Sequence, residues 1–170
     1  MAHVGTINAS GNCALAFGYM DGVEQHPSYN EHIILANGIS SYAGGCIQEA
    51  GNSSIISNGK ASIARGYVRH GSIESSGNGA VAIGCASSGN IIASGAGAVA
   101  MGINTKASGN GAVALGIETH TTNDGETVVG KYNHVGVNYA GHPLFIVGCG
   151  TPEHSKNAFE VHDSGITCLQ

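Results

Sequence analysis

The chain has 170 residues, enough for one domain of ordinary size with a short cap but too few for two full cores. Its 28 glycines suggest a low-complexity tract, yet 42% of the residues are hydrophobic, which excludes a disordered chain, and the absence of a G-X-Y period excludes collagen. A net charge of −5, with only 6 Lys and Arg residues spread along the sequence, leaves no basic stripe for nucleic acid.

The start, Met1-Ala2-His3-Val4-Gly5, lacks the charged and apolar regions of a signal peptide, and no apolar run is long enough to span a bilayer. The expectation is a protein without membrane insertion that either folds where it is made or has a leader outside this sequence. A first repeat unit follows as Ser10-Gly11-Asn12-Cys13-Ala14-Leu15-Ala16-Phe17-Gly18. An insertion near 19–32 then breaks the pattern. It reads equally as a cap over an open end and as a binding loop on a rigid scaffold.

Weaker half-units come next, centred on Ile47, Ile55, Ile63, Ile73 and Ile91. Among and after them the full unit recurs as Ser76-Gly77-Asn78-Gly79-Ala80-Val81-Ala82-Ile83-Gly84, Ser94-Gly95-Ala96-Gly97-Ala98-Val99-Ala100-Met101-Gly102 and Ser108-Gly109-Asn110-Gly111-Ala112-Val113-Ala114-Leu115-Gly116. The central aliphatics are spaced by eight or ten residues until a last step of fourteen, between Val99 and Val113. Two steps make a coil of about sixteen to eighteen residues, the size of a solenoid turn with two short strands.

Each Ala-Val-Ala-Ile run is short and bounded by residues suited to positive φ, so it reads as a strand between corners. The corner glycines are Gly77, Gly84, Gly95, Gly102, Gly109 and Gly116. Along such a strand Ala80 and Ala82 point one way and Val81 and Ile83 the other, so neither face is polar and both call for burial. A roll two strands wide has one interior, and its second apolar face needs another subunit. The ladder Val81, Ile83, Val99, Met101, Val113 and Leu115 is therefore either roll core or oligomer seam. Lys60, Arg65, Arg69, Glu74, Asn104, Thr105 and Lys106 are assigned to the intervening strands, as a solvent wall.

These units resemble the head repeats of trimeric autotransporter adhesins of the YadA type, which run small-Gly-x-x-small-aliphatic-Ala-aliphatic-Gly. The resemblance is specific from Ser76 to Gly116, present at Ser10 to Gly18 and degenerate from Ala36 to Gly71. It implies a left-handed parallel β-roll, a homotrimer, and a head that presents a surface to a receptor or glycan. The tail, with Glu126-Thr127-Val128-Val129-Gly130-Lys131-Tyr132-Asn133 and then Pro143-Leu144-Phe145-Ile146-Val147-Gly148-Cys149-Gly150-Thr151, resembles the segment after such repeats in phage tail-fibre and virion-surface proteins. That second resemblance implies a fibre, spike or capsid-associated head made in a cytoplasm, beside other virion proteins. A bacterial cell-surface adhesin head is the alternative.

No catalytic, cofactor or metal site is expected. The nine histidines include no His-x-x-x-His pair accompanied by carboxylates. Cys149, between two glycines and near His142, His154 and His162 in sequence, reads as a small turn residue rather than a nucleophile. The five cysteines have no zinc-knuckle spacing, and Cys13, Cys46 and Cys85 read as small buried fillers. A left-handed β-helix acyltransferase would repeat an aliphatic every six residues, which steps of eight and ten do not match. The expected architecture is all-β, with a two-stranded roll over residues 1–118, its coils starting near residue 8, and a small C-terminal β-cap or trimerisation segment over 119–170.

Overall fold

The computed structural model describes residues 5–20, 32–48, 52–135, 141–165 and 167–169. Most of the insertion near 19–32 lies outside the described residues, as do Gly136 to Ala140. The described residues form no helix. Their strands, in chain order, are β1 (Thr6–Ala9), β2 (Leu15–Met20), β3 (His32–Ala36), β4 (Tyr42–Ile47), β5 (Ser53–Ser57), β6 (Ile63–Val68), β7 (Gly71–Ser75), β8 (Val81–Ala86) and β9 (Gly89–Ala93). They continue as β10 (Val99–Ile103), β11 (Lys106–Ala107), β12 (Val113–Ile117), β13 (His120–Thr121), β14 (Thr127–Lys131), β15 (Pro143–Cys149), β16 (Asn157–His162) and β17 (Thr167–Leu169).

Odd- and even-numbered strands separate into two sheets. One has seven strands in the order β1-β3-β5-β7-β9-β11-β13; the other runs β2-β4-β6-β8-β10-β12-β14 and continues through β15, β16 and β17. Each coil thus places one strand in either sheet, and neighbours pair in parallel with equivalent residues in register, as Val81, Val99 and Val113 show. The parallel register runs past residue 118, through β14 to β15, before β16 and β17 turn antiparallel. Coils are eighteen residues long from Ile63 to Val99 and fourteen from Val99 to Thr127.

The interior has one large and one small ladder facing each other, beside a second inward column of the ten-stranded sheet, Ile47, Val68 and Ala86. The seven-stranded sheet sends in Ile34, Ile55, Ile73 and Ile91, and the ten-stranded sheet answers with Ala43, Ala64, Ala82, Ala100 and Ala114, all fully buried. Isoleucine against alanine fills a narrow gap that isoleucine against valine would overfill. Each buried isoleucine stabilises the roll by about 2 to 3 kcal/mol through apolar area removed from water.

The shorter coils change this pattern. The chain bends sharply at Asn104, whose φ is 52°, and its amide accepts a hydrogen bond from the Ser87 N–H at 3.2 Å and donates one to Glu118 at 2.8 Å. Thr105 and Thr119 then stand buried where longer coils place isoleucine. Asn104 and Thr105 are therefore not part of a solvent wall: removing four residues pulls the connection taut and turns them inward.

Two columns of glycine permit the stacking. In the Ser-Gly-x-x corners a Cβ on Gly77 would collide with the Gly95 carbonyl oxygen of the next coil, and the same holds from Gly95 to Gly109. In the ten-stranded sheet Gly84, Gly102 and Gly116 lie inside their strands rather than at corners, and the strand bends there while continuing. Gly84 has φ +145°, and a Cβ on it would meet the Gly102 carbonyl. The third corner residue links coils by its side chain: Asn110 Oδ1 accepts the Ala96 N–H at 3.0 Å, and Asp124 Oδ1 accepts the Asn110 N–H at 2.7 Å.

The seven-stranded sheet is closed at its C-terminal end by side chains that imitate a further coil. Elsewhere the N–H of the first corner residue donates to the next coil, as Ser94 does to the Ala107 carbonyl at 2.9 Å. At the last corner the buried carboxylate of Glu126 accepts the N–H groups of Thr122 and Asn123 at 2.8 and 2.9 Å. Asn133 then takes the place of a strand beyond β13, accepting the His120 N–H at 2.7 Å and donating to the His120 carbonyl at 2.9 Å. These two residues protect an edge that would otherwise accept another chain.

Candidate oligomer interface

The outer face of the ten-stranded sheet is a grid of side chains. Three outward positions per strand over β2, β4, β6, β8, β10 and β12 give eighteen, placed in columns by the parallel register. One edge column holds Leu15, Tyr42, Ile63, Val81, Val99 and Val113. The middle column holds Phe17, Gly44, Arg65, Ile83, Met101 and Leu115, and the far one Tyr19, Cys46, Tyr67, Cys85, Ile103 and Ile117.

Val81, Ile83, Val99, Met101, Val113 and Leu115 all stand on this outer face, and the alanines between them form the core. Sequence reasoning left both placements open, because each strand is apolar on both sides. The seven-stranded sheet decides the matter by occupying the interior with isoleucine. Met101, Ile103 and Ile117 are 40%, 37% and 38% exposed in the single chain, and Leu15 and Tyr19 exceed half. A contiguous apolar face that holds six of the nine large hydrophobic side chains exposed among the described residues marks an interaction surface.

Arg65 belongs to this face, not to the opposite wall: it pairs with Gly44 on one side and Ile83 on the other. The eight- and ten-residue steps merge two ladders, since Ile55, Ile73 and Ile91 belong to the seven-stranded sheet and Ile63, Val81, Val99 and Val113 to the other. Cys13 is exposed in a corner at φ 56°, and Cys46 and Cys85 are half-buried on the outer face, so none fills the core. Cys168 lies on β17.

The C-terminal strands hold the remaining chemistry. His162 is buried, with Nε2 3.0 Å from Glu160 Oε2 and Nδ1 3.3 Å from the Gly141 carbonyl. The hydrogen bond to Glu160 raises its pKa above the ordinary 6.5, with burial acting in the opposite sense. His120 is shifted down, first by burial and then by the charge of Lys106. Cys149 is exposed, and His162, at the far end of the β15–β16 pair, is engaged by Glu160 instead. Among the described residues no group of three or more His, Cys, Asp or Glu is placed to hold a metal ion. No helix among them is long and apolar enough to cross a membrane.

These features define a parallel β-solenoid head with one outer wall left apolar. Residues 93–119, from the end of β9 to the turn before β13, match the family model of the YadA head domain repeat in two copies. Over that stretch the roll is similar to heads of the YadA type. No curated protein and no solved structure matches the chain.

Proposed function

We propose that this chain is a non-enzymatic, homotrimeric surface head of the adhesin type, whose outer face of β2 to β12 is the seam between copies and whose corners and loops meet the binding partner. The observation that carries the reading is the apolar grid on a roll of YadA head type. Heads of that type form homotrimers on the cell surface. Burying Leu15, Phe17, Tyr19, Met101, Ile103 and Ile117 between like faces covers six of the nine large hydrophobic side chains exposed among the described residues.

A virion fibre would use the same roll and the same seam. The tail motif that suggests a virion contains Glu126 and Asn133, which close the end of the seven-stranded sheet. Any such roll needs that closure, so the motif favours neither setting and the adhesin reading is preferred. An acyltransferase-like solenoid has three strands per coil, against two here.

Light scattering on the purified chain tests the assembly. The expected mass is about 51 kDa, three times the 17.0 kDa chain, and a single-chain mass overturns the reading. Adhesion is tested with beads carrying the full chain on an epithelial cell layer. Retention well above that of uncoated beads is expected; equal retention rejects the adhesin role.

A further inference from the structure

Seventeen of the eighteen outward positions on β2 to β12 carry Leu, Phe, Tyr, Gly, Cys, Ile, Val or Met, and the eighteenth is Arg65. It sits in the middle column, exposed, and has no hydrogen-bond or ion-pair partner among the described residues. Its strand neighbours offer no acceptor: Ile83 lies on one side, and on the other is Gly44, over which the Phe17 ring lies.

The following step rests on the trimeric reading above. Because the ladder is parallel and in register, three chains around an axis along the stack bring identical side chains to one level. The middle column of a three-column face lies nearest that axis. Three guanidinium groups then converge within an otherwise apolar seam, and the face itself contributes no carboxylate. Desolvating unpaired charges is costly for each ion, and like charges add repulsion. A guanidinium fork matches the oxygens of a tetrahedral oxyanion and binds them by charge-assisted hydrogen bonds.

We propose that the assembled seam holds one small inorganic oxyanion of the sulfate or phosphate class, bound by the three copies of Arg65. The anion converts three mutually repelling charges into a cross-link between chains. Its place at the centre of the face restricts it to free ions, because a phosphate or sulfate carried on a polymer cannot enter a closed seam.

The test is calorimetric titration of the full chain with sodium sulfate at constant ionic strength, after light scattering has established its mass. The expected result is one sulfate per three chains, with binding lost in Arg65→Met at unchanged trimer mass. Arg65→Gln repeats the test with a polar residue should the methionine variant precipitate. A trimer that takes up no sulfate, or a variant that binds it equally well, overturns the anion site and leaves the trimer standing. A single-chain mass overturns the trimer and the site with it.

Discussion

Asn133 meets the backbone of His120 at both of its polar groups, Oδ1 receiving the N–H at 2.7 Å and Nδ2 donating to the carbonyl at 2.9 Å. A side-chain amide has the same donor and acceptor as a peptide unit, so this one residue supplies what a missing strand would. Asn157 repeats the device on His134, at 2.8 and 2.9 Å. Asn133→Ala leaves both His120 groups without that partner and is expected to cost about 1 to 3 kcal/mol, read from the urea midpoint. Asn133→Asp keeps the acceptor and loses the donor, and is expected to fall between alanine and wild type. Equal midpoints for all three proteins would remove the capping role.

Glycines of one roll are not equivalent, and alanine substitution separates them. Gly84→Ala places a methyl group against the Gly102 carbonyl and is expected to prevent folding or lower the melting temperature severely. Gly79 has φ +67° but nothing within 4 Å of a Cβ, so Gly79→Ala is expected to cost only about 1 to 2 kcal/mol. The reverse exchange is Ala61→Gly, at φ 52° in the equivalent corner, with an expected gain of about 0.5 to 1 kcal/mol. Thermal melts followed by circular dichroism rank the three, and a harmless Gly84→Ala contradicts the stacking.

Inner and outer ladders respond to different measurements. Ile73→Ala opens the core and is expected to lose about 2 to 5 kcal/mol of stability. Met101→Asp leaves the core intact, and its far-ultraviolet circular dichroism should match wild type while its mass drops to one chain of 17.0 kDa. A Met101→Asp protein that keeps three chains removes this face as the seam.

Two histidines give opposite pH dependences. His162 is raised above 6.5 by its hydrogen bond to Glu160, so the folded state favours its protonated form; its contribution is complete below pH 6.5 and is lost as pH rises through the folded value. His120 is lowered by burial, so the fold holds it neutral and stability declines as pH falls from 6.5 through its folded value. Urea midpoints between about pH 5 and about pH 8 are expected to lose their alkaline decline in His162→Gln and their acid decline in His120→Gln. An unchanged alkaline limb in His162→Gln excludes the Glu160 pairing as its source.

The alternation of short strand and corner was legible because Ser-Gly-x-Gly and Ala-Val-Ala recur almost unchanged at Ser76, Ser94 and Ser108. What was not legible is which face turns inward. Val81 and Ala82 are both apolar, and the choice depends on Ile73 and Ile91 arriving from a different sheet. Arg65 was read as a wall residue because the periodicity does not say which sheet a half-unit joins. Glu126 carries the missed signal. It is an acid where the preceding coils place Ala80, Ala98 and Ala112, a departure that marks the last corner of the stack.

The caps address only the final coil. Glu126 and Asn133 bond to residues between His120 and Asn123, whereas in the earlier described coils the first corner N–H donates to a backbone carbonyl of the coil after it. A whole eighteen-residue turn can therefore be added or removed in the stretch from Ile63 to Val99 without disturbing how the roll begins or ends. Each added turn lengthens the roll by one strand spacing, about 4.8 Å, and extends the apolar outer face by one more row of three outward side chains. In the proposed trimer, reach and cohesion between chains are thereby tied together, so that duplicating a turn to project the tip further would also strengthen the joint between subunits.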